Sequence, residues 1–117
     1  MKRPGQIALM PSPFTDLTQS KKRPVLQLRQ LDHAQDDWRV CMVSSRLHQG
    51  HPGLDWVLSP DDEEFVATGL KVARVFRFSR LAVLDGSLLL GRLGSVSDTR
   101  LCELKSRLSR WIACRPE

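Results

Sequence analysis

The sequence predicts an α+β fold, a small curled sheet or partly open barrel of about six short strands with one C-terminal helix. Three observations carry this. Apolar or alternating runs of strand length recur at 6–10, 24–29, 38–44, 54–58, 71–78 and 88–96, each bounded by Pro, Gly or Asp clusters. One stretch, 98–113, changes to helical spacing, with Leu101, Leu104, Leu108, Trp111 and Ile112 on one face and Arg100, Glu103, Arg107 and Arg110 on the other. The chain has 117 residues, 41% hydrophobic and 26% charged, which suits one domain with one modest core and excludes global disorder.

In chain order, residues 6–10 follow Pro4-Gly5 and read as a first strand. Residues 11–20 carry Pro11 and Pro13 and read as a long loop, the kind of segment that often holds function. Lys21-Lys22-Arg23 then runs into Pro24, which opens an alternating strand with Leu26 and Leu28 on one side. Proline is tolerated at a strand's first position, so Arg23 falls where loop becomes rigid sheet, a good base for a cation used in chemistry. Residues 30–37 are polar and read as a turn. Residues 38–44 form a near-continuous apolar run, a strand buried on both faces, in which Cys41 reads as a packing thiol. His48 and His51 lie in the Gly/Pro loop that follows. Near 60–67, Ser59 can cap, Pro60 suits the first helical position and four acids favour the positive helix end, so a short acidic helix is expected, closed by Gly69. Residues 79–87, with Asp85-Gly86, read as a turn. Gly91 and Gly94 weaken the last strand, and Ser97-Asp98 caps the terminal helix.

Net charge is +5, unevenly spread: residues 1–30 and 71–117 are basic and residues 31–70 acidic. If the basic ends meet, they form a surface suited to a phosphate backbone or an acidic peptide. No run of eighteen apolar residues exists, so no membrane span is expected. The early apolar run is cut short by prolines, and three cysteines without paired spacing read as reduced thiols, so a cytoplasmic protein is expected.

Several segments match the motifs of one family. Arg3-Pro4-Gly5-Gln6-Ile7 looks like an opening R-x-G-D-I. Pro13-Phe14-Thr15-Asp16-Leu17, followed by Lys21 to Leu26, is similar to a PFTDLS…KKRPALV stretch. Residues 40–45 fit a third strand ending in Thr or Ser, and residues 77–94 fit a closing TLD-x-S-L-I-x-R-x-I-G-x-L segment. Over residues 3–112 the chain thus resembles the MazF/PemK toxins of type II toxin–antitoxin systems, in their PemK-like branch. The resemblance implies an SH3-like β-barrel and a homodimer. It also implies sequence-selective cleavage of single-stranded RNA without metal or cofactor, and neutralisation by a cognate antitoxin peptide. DNA is expected only through the antitoxin complex. A relative that keeps the barrel but only binds RNA or a partner protein is the alternative, and a related barrel that poisons a topoisomerase is a third.

The resemblance also assigns residues. The 2′-OH attacks the adjacent phosphate, which calls for a base, an acid and cations around the phosphorane. Arg23 matches the family's phosphate-binding arginine, Ser44 its strand-end hydroxyl and Arg77 a second arginine. Where one branch has an aspartate two residues after that arginine, this chain has Ser79. The base therefore stays open among Asp16, in the first loop, and the histidines His48 and His51. Phe14, Thr15, Lys21, Lys22, Arg46 and Arg80 are the expected RNA contacts, with Phe14 a candidate for base stacking.

Overall fold

The computed structural model describes residues 2–11, 22–32 and 34–113. Six antiparallel strands form one curled sheet: β1 (Gln6–Pro11), β2 (Lys22–Asp32), β3 (Asp37–Ser44), β4 (Trp56–Leu58), β5 (Arg74–Asp85) and β6 (Leu90–Ser95). Their spatial order is β4-β5-β3-β2-β1-β6. Helix α1 (Phe65–Thr68) follows β4, and helix α2 (Asp98–Ala113) ends the chain. The α+β half-barrel expected from the strand spacing is therefore the fold.

Side chains alternate across β2 and β3, and each face of the curled sheet has its own apolar cluster. On one face Ile7, Leu26, Leu28, Cys41, Val43, Phe76 and Phe78 pack with Leu101 and Leu104 of α2. On the other, Ala8, Met10, Val25, Trp38 and Val40 gather a smaller cluster extended by Met42. The run 38–44 is buried on both faces, as its composition predicts, with Arg39 left outside. Cys41 is fully buried; burial, reinforced by the Asp55 carboxylate, pushes its thiol up, so it is a packing group rather than a nucleophile.

Three expectations need correction. Residues 79–87 are not a turn: β5 continues to Asp85, and only Gly86–Leu88 leaves the ladder as a 3-10 turn. Cys41 pairs with Leu81 but Met42 pairs with Arg77, so Phe78, Ser79 and Arg80 form a bulge. The acidic helix near 60–67 shrinks to Phe65–Thr68. Asp61 and Asp62 instead turn the chain locally: Ser59 Oγ donates to Asp61, and the Asp62 carboxylate accepts from Glu64 N at 2.9 Å. Gly69 does close this helix, in a left-handed conformation (φ 73°). On α2, Leu101 and Leu104 are buried and Leu108 packs beside them, but Trp111 and Ile112 stand exposed.

Polar contacts fix the ends of the sheet. Ser97 Oγ accepts from Arg100 N at 3.1 Å and so caps α2. Arg100 reaches Glu64 at 2.8 Å and lies 4.9 Å over the Trp56 ring, tying α2 to the segment before α1. At the opposite end, Asp36 (φ 54°) accepts from Lys2 Nζ at 3.0 Å, Gln30 Nε2 at 3.0 Å and Trp38 Nε1 at 2.8 Å, while its carbonyl accepts from Gly86 N at 2.8 Å. One residue thereby joins the N-terminal segment, the β2–β3 turn and the end of β5. A Cβ on Gly86 would lie 2.1 Å from an Asp36 carboxylate oxygen, so this close approach requires glycine.

The Lys2 ammonium first, then the Trp38 indole N–H, hold the Asp36 carboxyl below the ordinary carboxylate range. A depressed folded-state pKa gives stability that is present above the unfolded value, near 4, and is lost as pH falls through the folded one. Asn tolerates the left-handed backbone and keeps an acceptor for Trp38, so Asp36→Asn removes mainly the charge. Urea midpoints at pH 7 and pH 3 should differ less in Asp36→Asn than in the unsubstituted chain. Equal differences would refute this role for Asp36.

Candidate nucleic-acid interface

Antiparallel pairing brings the start of β2, the end of β3 and the first half of β5 to one end of the sheet. Met10 pairs with Arg23, Val25 with Met42, Met42 with Arg77 and Ser44 with Val75. On the face of the smaller cluster these strands form a cleft of about 360 Å³. Met10, Pro24 and Met42 contribute apolar lining, and Arg23, Ser44, Arg46, Gln49, Arg77 and Arg80 polar lining. Among the described residues no carboxylate and no imidazole lines it. Four guanidiniums line it, and their planar forks suit phosphate oxygens.

Each cation arrives by a different device. Arg23 is the second residue of β2, exposed, next to the rigid Pro24. Ser44 ends β3, and its Oγ accepts from Arg46 N at 3.0 Å, a local turn that sends the chain and Arg46 back toward the cleft. Arg77 immediately precedes the β5 bulge and Arg80 is its last residue, and the bulge re-aims side chains that an unbroken ladder would direct elsewhere. Arg77 Nη1 donates to Gln49 Oε1 at 3.3 Å, joining β5 to the 3-10 turn Leu47–Gln49.

Behind Arg77 lies a group that the residue pattern hides: Asp55, its side chain only 1% exposed. Its carboxylate accepts from His51 N at 2.8 Å, from Ser79 N at 3.0 Å and from Ser79 Oγ at 2.9 Å. Arg77 Nε lies 3.7 Å away, close enough for ion pairing but beyond hydrogen-bond reach, and Nε itself is buried without a hydrogen-bond partner. Asp55 thus satisfies the N–H that the bulge leaves out of the ladder, and its charge sits behind Arg77. The sequence signal was a lone acid in the apolar stretch 54–58, since a carboxylate there needs dedicated partners.

The expected site residues divide accordingly. Arg23, Ser44, Arg46, Arg77 and Arg80 come together in the cleft, and Lys22 lines an adjoining trough. Ser79 does not line the cleft; it faces Asp55. His51 packs its ring edge-on against Trp111, 5.9 Å between centroids, and neither it nor His48 lines the cleft. Phe14, Thr15, Asp16 and Lys21 lie outside the described residues. No three His, Cys, Asp or Glu side chains converge as metal ligands among the described residues.

Compared with known proteins, residues 3–112 match the family model of the PemK-like, MazF-like toxins of type II toxin–antitoxin systems. The chain belongs to this family. Solved structures agree on the PemK/MazF fold. A MazE–MazF complex from Deinococcus radiodurans superposes at a TM-score of 0.67 with 19% identity, covering 97% of this chain and 98% of that one. An endoribonuclease in complex with its cognate antitoxin, from a mycobacterial species, gives 0.64 with 14% identity, covering 99% and 100%. A mycobacterial endoribonuclease gives 0.60 with 14% identity, covering 97% and 92%. No curated protein matches the chain. Among the described residues of this PemK/MazF chain, no helix is long and apolar enough to cross a membrane.

Removing the Asp55 carboxylate leaves the Ser79 and His51 donors without their acceptor and the Arg77 guanidinium without its counter-charge. Asp55→Ala should therefore lose about 3–5 kcal/mol of unfolding free energy, and Asp55→Asn, which keeps one acceptor, less. Denaturant melts of the three proteins read this directly. A loss in Asp55→Ala no larger than that of an exposed surface substitution would contradict it.

Proposed function

We propose that this chain is a toxin endoribonuclease that cuts single-stranded RNA in the arginine-lined cleft and is neutralised by a cognate antitoxin. The observation that carries the reading is the convergence of Arg23, Ser44 and Arg77 from three strands onto one anion-binding cleft, in a chain of the PemK/MazF toxin family. The scissile phosphate sits between Arg23 and Arg77, and Arg46 and Arg80 add positive potential. The ribose 2′-oxygen loses its proton and attacks the adjacent phosphorus. The bond to the 5′-oxygen breaks, leaving a 2′,3′-cyclic phosphate and a 5′-hydroxyl. The guanidiniums stabilise the charge that grows on the phosphorane oxygens, and the Ser44 hydroxyl hydrogen-bonds a phosphate oxygen or the attacking group. Arginine cannot accept the 2′ proton, so the base comes from elsewhere. Asp16, in the segment before β2, is the candidate. The protein acts in the cytoplasm as a homodimer, meeting DNA only through the antitoxin complex.

One observation favours a second reading, a relative that binds RNA without cutting it: the described lining of the cleft holds no carboxylate and no imidazole.

The two readings separate in one assay. Purified protein is incubated with long single-stranded RNA in EDTA, and new 5′ ends are mapped and tested for a free hydroxyl. Defined cuts are expected, with Arg23→Ala and Arg77→Ala each slower by about 10²–10³-fold, the loss typical of removing one preorganised donor. Salt-sensitive binding with no cut at any enzyme concentration would establish the second reading instead.

A further inference from the structure

A second cationic concavity adjoins the cleft at the same end of the sheet. It measures about 380 Å³ and shares Arg23, Pro24 and Arg46 with the cleft, adding Lys22, Ser45 and Arg74. Among the described residues no acid lines it. Arg74 opens β5, paired with Leu58 of β4, and is half-buried. Its Nε is buried with no hydrogen-bond partner among the described residues. That nitrogen is closed to an incoming ligand, but Arg74 lines the concavity, so its terminal guanidinium donors are the ones offered there. Arg77 carries the same signature in the cleft, an Nε buried without a hydrogen-bond partner. Each of the two concavities thus presents one half-buried guanidinium whose donors are incompletely used.

The trough has the geometry of a backbone track. Arg23 and Arg74 stand on strands separated only by β3, about two strand spacings or ~10 Å apart. Arg46 lies on the border of both concavities. An extended chain of phosphates crossing this end of the sheet passes from the Arg77 side to the Arg74 side without meeting a carboxylate. An acidic peptide carries charge too, but shared walls and forked donors on both sides favour the phosphate repeat of the strand already in the cleft.

We propose that the Lys22–Arg46–Arg74 trough is a second phosphate subsite, which holds the backbone phosphate next to the one in the cleft and so extends the RNA footprint toward β4. This rests on the reading of the cleft as an RNA site. Arg74 acts here as a binding residue and takes no part in bond cleavage.

The test is binding of an uncleavable 2′-O-methyl single-stranded oligonucleotide, followed by fluorescence anisotropy in EDTA between about 50 and 200 mM salt. Arg74→Gln should bind about tenfold more weakly at low salt, with the slope of log K against log salt reduced by about 0.7, one phosphate contact on a single strand. Arg74→Lys should keep the slope, because it keeps the charge. If Arg74→Gln fails to fold by circular dichroism, Lys22→Gln on the exposed wall carries the same expectation. An unchanged slope and affinity in Arg74→Gln, while Arg23→Gln and Arg77→Gln lose binding, would overturn the subsite and leave the cleft reading standing. Unchanged binding in all three would remove both. Equal affinity for an oligoglutamate peptide, lost in Arg74→Gln while RNA binding is kept, would reassign the trough to an acidic protein partner.

Discussion

A carboxylate enclosed by an apolar fold has to be held from several sides, and the way Asp55 is held determines the shape of the candidate site. Its partners come from the loop after β3 and from the bulge of β5, two segments that no ladder hydrogen bond joins. Without an acceptor, the Ser79 N–H would have no partner within the sheet, since the bulge leaves it out of the ladder. With Asp55 in place the bulge is satisfied, and Arg77 and Arg80 can be directed into the cleft. A negative charge behind a guanidinium also favours one orientation of it while leaving its outer donors for a ligand. Buried ion pairs contribute little net stability but penalise any arrangement that separates them. The specificity of the Arg77 position, more than the depth of the fold's free-energy minimum, is what Asp55 supplies.

The rest of the site follows from antiparallel geometry. Strands β2 and β5 begin where β3 ends, so residues far apart in sequence, Arg23, Ser44 and Arg77, meet at one edge. The basic N-terminal third and the basic C-terminal third of the chain meet here. Elsewhere, acids from the middle third are spent on structure. Asp36 joins three segments, Asp55 supports Arg77 and Glu64 anchors Arg100. The cleft stays free of carboxylates among its described lining because the nearby acids face inward or sideways.

Much of this was legible in the residues. The run 38–44, the Pro24 strand opening, the Ser97 cap and the buried half of α2 follow from local chemistry that tertiary structure does not contradict. The bulge was not legible. Ser79-Arg80 and Asp85-Gly86 look like turn residues, and nothing local reveals that Asp55, more than twenty residues earlier, satisfies Ser79 from outside the ladder. The acids at 61–64 suggest a longer helix than the one that forms, for a related reason. Asp side chains compete for nearby backbone N–H groups, and here local turns win over a longer helix. Trp111 and Ile112 keep the helical spacing of a core face but stand exposed, and spacing carries no information about where a partner surface stops. Arg23 and Ser44 were found through motif resemblance. Asp55 and Arg74 belong to no motif and became visible only through burial and unsatisfied donors.

Arg74 and Arg77 illustrate why that last signal is worth following. Both sit on β5, and among the described residues both have a buried Nε without a hydrogen-bond partner and each lines a concavity without acids. Yet among the described residues only Arg77, of the two, has a carboxylate behind it. A cation that must meet one phosphate at a reacting centre benefits from being fixed, because misplacement there lowers the rate steeply. A cation that only holds the neighbouring backbone benefits from latitude, since a strand of varied sequence must be accepted at many local conformations. On the proposed reading, the buried anchor at position 55 for one arginine, and the lack of a described one for the other, divide the cationic edge into a part shaped for chemistry and a part shaped for grip.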